Sequence, residues 1–261
     1  MFSINPFAAL SASIAPAVMQ AYAVVMIALV AVGTLFDVVH KGSAKYFFQN
    51  WRKSKAKGVK PVGGGELVSI AIKTGVVDVL ASGEFCNARR RVAHLLTMYG
   101  FVIYVVATAV MIFAYPTPAT PTPALLPQLW WLGGLMACLG GYWFWFFIRV
   151  DVLAEGNSPL RIVRADLFIL SLLASVTLGL AWAWLQARGS AGAGVLFGLY
   201  ILATTVLFAG VPWSKFAHMF FKPAAAFEKR VSYANETRSN LPAPADKPEQ
   251  FGIARQQPKH Y

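Results

Sequence analysis

Four long stretches without a charged residue dominate the hydrophobic pattern of this chain. They are residues 1–36, 92–148, 167–187 and 189–214. Each reaches or exceeds the roughly 20 residues that an α-helix needs to cross a bilayer. The stretch 92–148 is long enough for two crossings, and five prolines within 115–127 divide it, because a helix interior does not tolerate that density of proline.

The pattern predicts an all-α fold, an integral membrane bundle of five transmembrane helices. The predicted domains are a membrane domain over 1–220, with a loop at 38–91 between spans one and two, and a largely disordered cytoplasmic tail over 221–261. The tail is rich in proline and polar residues and has little to bury. The predicted spans are about 15–37, 93–114, 128–148, 166–187 and 192–220.

The distribution of lysine and arginine predicts the orientation of the spans. Of the 23 positive charges, 22 fall in 38–91, in 149–165 or after 214, which lie on one side of a five-span bundle. Basic loops stay in the cytoplasm, so the N-terminus is predicted outside and the C-terminus inside, in the cytoplasmic (inner) membrane. The net charge of +12 is therefore expected from topology. Basic faces of this kind can also hold anionic lipid or an acidic partner, whereas no nucleic-acid module is evident.

The loop between spans one and two divides into two parts. Residues 40–60 are basic with aromatic side chains and are predicted to lie along the inner membrane surface. Residues 63–82 begin with three glycines and continue with apolar residues at partly helical spacing, which predicts a short cytoplasmic amphipathic helix.

The two cysteines exclude an iron–sulfur cluster held by this chain alone. Cys86 falls in the loop and Cys138 within the third predicted span, and no Cys-x-x-Cys pair is present. No paired carboxylates or Ser/His/Asp arrangement indicates catalysis, so we predict no catalytic residue. Any iron–sulfur centre in an electron-transfer role would belong to another subunit.

Three of the four histidines share one position in the predicted topology. His40, His94 and His218 each fall at the cytoplasmic end of a span. A b-type haem in a helical bundle needs two facing imidazoles. His94 and His218 are accordingly candidate axial ligands of one haem iron. The competing interpretation, in which each histidine is solvated among lipid headgroups, stays open.

Basic residues lie close to both candidate ligands. Haem propionates need cations near the polar edge of the bilayer, and these residues are candidates for that role. They are Arg89, Arg90 and Arg91 before His94, and Lys215 before His218.

Several segments resemble the membrane anchor associated with dissimilatory adenylylsulfate reductase. They are "SGEFCNARRRVAHLLTMYGF" (82–101), "PTPATPTPALLPQLWW" (116–131), "GGYWFWFFIRVDVLAEGNSPLRIVRADLFILSLLAS" (140–175) and "VPWSKFAHMFFKP" (211–223). Five spans with histidines on spans two and five are also similar to the cytochrome b-type membrane subunits of nitrate reductase and of the quinone-interacting oxidoreductase complex. The resemblance implies an anchor that docks the cytoplasmic flavin and iron–sulfur enzyme and passes electrons between it and quinone in sulfur metabolism.

The family resembled often binds two haems, and this chain departs from that pattern. Tyr104 and Tyr200 stand where the second pair of histidines is expected, so the resemblance implies at most one haem b. Quinone is then expected in the inner half of the bundle, near His40. Two other functions stay open: a cofactor-free tether for the reductase and a small transporter.

Overall fold

The structure is a computed structural model that describes residues 2–40, 42–83, 85, 87–149, 156, 158, 160–211, 214 and 218–237. Within these residues all regular structure is helical, as the hydrophobic pattern predicts. Cys86, Lys215 and the last 24 positions of the predicted tail, 238–261, lie outside the described residues.

Four helical segments are long and apolar enough to cross a membrane, which identifies a membrane protein. Helix α2 is Pro16–His40, and α5 is Ala88–Ala114. Helix α6 covers Leu125–Trp143 and continues as a π-helical turn to Ile148. Helix α7 is Leu167–Ala187, preceded by a 3₁₀ turn at Arg164–Asp166. The proline-rich segment 115–124 between α5 and α6 is not helical, as expected.

The region of the fifth predicted span differs from the prediction. Helix α8, Ala193–Ala209, is apolar but has only 17 residues. A separate helix, α9, begins at His218 and ends at Ala234. Residues 221–234, which the sequence analysis assigns to the tail, are therefore helical. Their stabilising contacts come from distant residues, described below, that hydropathy does not report.

The chain divides into two compact units. We call residues 1–37 and 92–217 the bundle unit, and residues 38–91 and 218–261 the loop–tail unit. In the bundle unit α7 is the most central span, since 50% of its most apolar window is buried against 17% for α2.

Two glycine pairs on α6 allow the neighbouring helices of the bundle unit to approach closely. Gly133 and Gly140 face α5: a Cβ on Gly133 would lie 2.7 Å from the amide nitrogen of Tyr104, and one on Gly140 would lie 2.6 Å from the carbonyl oxygen of Ala93. Gly134 and Gly141 face α7, where a Cβ would meet Leu180 at 2.8 Å and Leu173 at 2.7 Å. Small residues at helix contacts are typical of membrane bundles, where close van der Waals packing drives association.

A short helix, α1 (Pro6–Leu10), packs its apolar residues into the same unit. The ring of Phe7 lies 6.0 Å from that of Trp130 and 5.3 Å from that of Trp182. Asn5 caps α1 by accepting from the amides of Phe7 and Ala8. Its side-chain nitrogen donates to the carbonyl of Tyr115 and to the hydroxyl of Thr122. The N-terminal segment is thus fixed to the ends of two spans.

The loop–tail unit contains α3 (Ser43–Ala56), α4 (Gly64–Lys73) and α9. A π-helical segment, Thr74–Leu80, continues from α4, so a helix lies where the amphipathic pattern at 63–82 predicts one. Arg230 of α9 donates two hydrogen bonds to the carboxylate of Asp78, at 2.6 and 2.8 Å. A bidentate pair of this kind fixes the relative orientation of the two side chains in addition to bringing their opposite charges together.

We expect Gly100→Ala to destabilise the bundle unit, because a Cβ there would lie 2.5 Å from the amide nitrogen of Ala137 and 2.7 Å from the carbonyl of Gly133. Overpacking of this kind costs about 1–3 kcal/mol of unfolding free energy. The matched control is Gly198→Ala on α8, where an added Cβ meets nothing within 4 Å. SDS-induced unfolding in mixed micelles, followed by tryptophan fluorescence, measures both variants. Equal midpoints for the two would contradict the packing described.

Candidate functional site

His94 lies on α5 beside the face that packs against α6. Ala93, which precedes it, is 1% exposed and contacts Gly140 of α6. Phe101 follows His94 by seven residues, almost two full turns, and so shares its side of the helix. The Phe101 ring lies 6.4 Å from that of Phe208 on α8. The half-buried imidazole of His94 is therefore on the side of α5 that faces α8.

The other two candidate histidines belong to the loop–tail unit. His40 is the last residue of α2 and is exposed. His218 is the first residue of α9, and its side chain lies outside the described part of the structure. His94 therefore belongs to the bundle unit and His218 to the loop–tail unit, and their pairing stays a prediction.

The three arginines before His94 have different surroundings within the loop–tail unit. The side-chain oxygen of Asn87 accepts from the amides of Arg89 and Arg90, which starts α5 with a polar cap. Arg89 is exposed, whereas the Nε of Arg91 donates to the carbonyl of Ala81 at 2.8 Å. Arg91 thus ties the start of α5 to the end of the preceding loop. That any of the three, or Lys215, contacts a haem propionate stays a prediction.

Aromatic side chains fill the bundle unit at the positions where a second histidine pair is absent. Tyr104 and Tyr200 are each 4% exposed. Tyr104 stacks on Trp130 with ring centroids 4.9 Å apart, and Tyr200 stacks on Trp182 at 5.7 Å. A Cβ on Gly179 would overlap the Tyr104 hydroxyl and come within 3.0 Å of the Tyr200 ring. These contacts describe a closely packed, aromatic interior.

Several polar groups near these rings are uncharged and hydrogen-bonded to one another. The hydroxyls of Ser175 and Thr204 lie 2.7 Å apart, linking α7 to α8. The indole nitrogen of Trp130 donates to the hydroxyl of Thr108 at 2.9 Å. No group of three His, Cys, Asp or Glu residues suited to a metal ion occurs among the residues that the structure describes. The centre of this interior is therefore formed by packed aromatic rings and neutral polar groups.

A cleft in the loop–tail unit is the feature that the sequence analysis missed. Its volume is about 290 Å³, and it lies between α3, the segment after it, and the end of α9. The lining residues are Trp51, Ser54, Lys55, Gly58, Lys60, Pro61, Val62, Leu67, Val231 and Asn235. The basic and aromatic residues of 40–60 were the sequence feature that could have indicated a binding site in this region. The cleft itself could not be found without knowing that 218–234 forms a helix.

Comparison with known proteins identifies one family. A family model described as citrate utilization protein B matches residues 1–239. A protein of Escherichia coli named citrate utilization protein B is 29% identical over 199 residues, covering 69% of this chain and 50% of that protein. The chain therefore spans about half the length of this curated relative. No solved structure matches it.

These matches overturn the resemblance to the adenylylsulfate reductase anchor and to cytochrome b-type subunits. The predicted role as that anchor, the reductase as partner and the place in sulfur metabolism are wrong. Neither the tether nor the small transporter gains support from the family match. The resemblance misled because apolar spans, basic loops and histidines at helix ends are physical requirements shared by many membrane proteins.

We expect Arg91→Gln to loosen the segment that ends at Ala81, because it removes the donor of a charged hydrogen bond. Such a bond contributes about 1.5–3 kcal/mol. Amide hydrogen exchange over 76–83 should accelerate in this variant. Arg89→Gln, which removes an exposed guanidinium two residues earlier, should leave exchange there unchanged. Protection that is equal in the two variants would show that the Arg91 bond does not hold the segment.

Proposed function

The chain belongs to the citrate utilization protein B family, and we propose that it is a membrane-embedded electron-transfer component of citrate utilization. The name of the Escherichia coli relative supports the link to citrate. Because the chain covers half of that relative, its part in the process is proposed from its own residues.

We propose that α8 is the fifth span, with the N-terminus outside and the C-terminus in the cytoplasm. At 1.5 Å per residue a 17-residue helix is about 25 Å long, close to the thickness of a thin bilayer core. The positive charges support this orientation, since 22 of 23 then face the cytoplasm across the inner membrane.

The bundle interior supports a redox role over passage of citrate. Citrate carries up to three negative charges, and charged side chains normally mark the path of a charged solute through a membrane. No Lys, Arg, Asp or Glu occurs in 92–148, 167–187 or 189–214. The central aromatic side chains of α5 and α8 are almost fully buried. A polar route through this part of the bundle is therefore not favoured.

The observation that carries the proposal is the position of His94. It is half-buried on the side of α5 that faces α8, in a span without charged residues. The donor chemistry fits haem b, which takes neutral imidazole as an axial ligand. We propose His94 and His218 as the two ligands, with Arg89, Arg90, Arg91 and Lys215 near the propionates. A bound haem b would accept and release one electron.

The chain's residues have distinct parts in this proposal. His94 and His218 would fix the iron and set its spin state, and the basic residues would balance the propionates. The packed interior would keep water from the macrocycle, which raises the reduction potential by disfavouring the extra charge of the oxidised form. The exposed His40 at the end of α2 is the proposed contact region for a quinone acceptor.

The visible spectrum of the purified protein tests the haem proposal. After dithionite reduction the wild-type protein should show the α-band of a six-coordinate b-type haem. His94→Ala and His218→Ala should each abolish that band, because an axial nitrogen is lost. The matched control is His40→Ala, which should retain it. A wild-type preparation with no α-band, or an unchanged band in His94→Ala, would refute the assignment.

Growth on citrate tests the link to citrate independently of the spectrum. In a host that depends on its own copy of this gene for citrate use, the wild-type gene should restore growth on citrate. The gene carrying His94→Ala should fail, although both strains grow on glucose. Membrane levels measured by immunoblot control for expression. Full growth with His94→Ala at normal levels would separate citrate use from this histidine.

A further inference from the structure

Exposed positive charge is concentrated at the end of α3, beside the cleft described above. Five basic residues occur within nine positions, and each is exposed: Arg52, Lys53, Lys55, Lys57 and Lys60. Within the described residues no ion pair involves any of the five. Lysines near a helix C-terminus also stabilise that helix. Only Lys55 and Lys60, however, line the cleft.

The walls of the cleft are held by contacts on both sides. Trp51 stacks on Phe227 of α9, with centroids 5.6 Å apart and an interplanar angle of 17°. It also stacks on Phe47, at 6.3 Å. The indole is therefore fixed between α3 and α9. A wall that is already ordered does not lose conformational entropy when a ligand binds.

The floor of the cleft is a closed hydrogen-bond network. The buried side-chain nitrogen of Asn235 donates to the hydroxyl of Ser54 at 2.8 Å and to its carbonyl at 3.2 Å. The carbonyl of Asn235 accepts from the amides of Val59 and Lys60, at 3.0 and 3.3 Å. This fixes the backbone of Lys60 across the end of α9. The structure therefore positions two lysines over a rigid, neutral floor.

We propose that this cleft binds a small polycarboxylate of the citrate class on the cytoplasmic side. Its volume of about 290 Å³ suits one such molecule, and none of its lining residues is acidic. Lys55 and Lys60 pair with separate carboxylates, while Trp51 and Leu67 cover the carbon chain. A membrane surface would engage all five basic residues without preference for these two. The inference rests on the proposed link to citrate and adds the place where the anion is held.

Calorimetric titration of citrate into the full-length protein in neutral-lipid nanodiscs tests the site. Wild-type protein should bind citrate saturably, and Lys55→Gln and Lys60→Gln should each weaken binding by about tenfold or more. Lys53→Gln is the matched control: it removes the same charge from α3, two residues before Lys55 and outside the cleft, and should stay within about twofold of wild type. Absence of saturable binding, or equal weakening in Lys53→Gln, overturns the proposal. So does binding of inorganic phosphate as tight as that of citrate.

Lysine acetylation of the unaltered protein tests the same site without a variant that must fold. Citrate should protect Lys55 and Lys60 from acetic anhydride, and Lys53 should react equally with and without it. Protection of all three, or of none, overturns the proposal. The reduced spectrum of the same preparation separates the two proposals. A normal α-band without citrate binding rejects only the proposed citrate site. Citrate binding without an α-band rejects only the proposed haem.

Discussion

The close approach of α5, α6 and α7 is the constraint on which the bundle unit depends. Lipid tails are as apolar as leucine, so burial of apolar surface gives little drive for helices to associate in a bilayer. Backbone contact supplies the missing attraction, and the glycines at 133–134 and 140–141 permit it on two faces of α6 at once. The two glycines of each pair are seven residues apart, so both lie on the same face of α6 after almost two turns.

The same packing determines what the interior can do. With the helices this close, the remaining space is filled by aromatic rings, and the stacked pairs Tyr104–Trp130 and Tyr200–Trp182 occupy the centre. Some of the hydroxyl and indole groups are paired locally, as between Ser175 and Thr204 and between Trp130 and Thr108. An uncharged and well-packed interior is a poor path for ions.

Hydropathy predicted the helices of the bundle well because a membrane span is specified by composition alone. It failed for α9, because the mixture of apolar, basic and proline residues in that helix matches no membrane span. The contacts that stabilise α9 come from Trp51, Ser54 and Asp78, more than 140 positions away. The side of α5 on which His94 lies, and the cleft that Lys55 lines, could be found only from three-dimensional contacts. The glycine pairs, by contrast, were visible as a repeat of small residues and could have been interpreted from sequence. Family membership could not, because apolar spans, basic loops and histidines at helix ends are compatible with many membrane proteins.

The contacts of Asn5 and Pro6 have a consequence for the order in which the chain assembles. Asn5 bonds to residues 110 and 117 positions later, and the carbonyl of Pro6 accepts from Gln186, 180 positions later. During synthesis the first segment emerges before any of these partners exists. It can reach its final position only after Gln186 of α7 has been synthesised, so the packing of α1 is completed well after α1 itself is made. Until then the apolar side chains of α1 lack the contacts that bury them in the bundle unit.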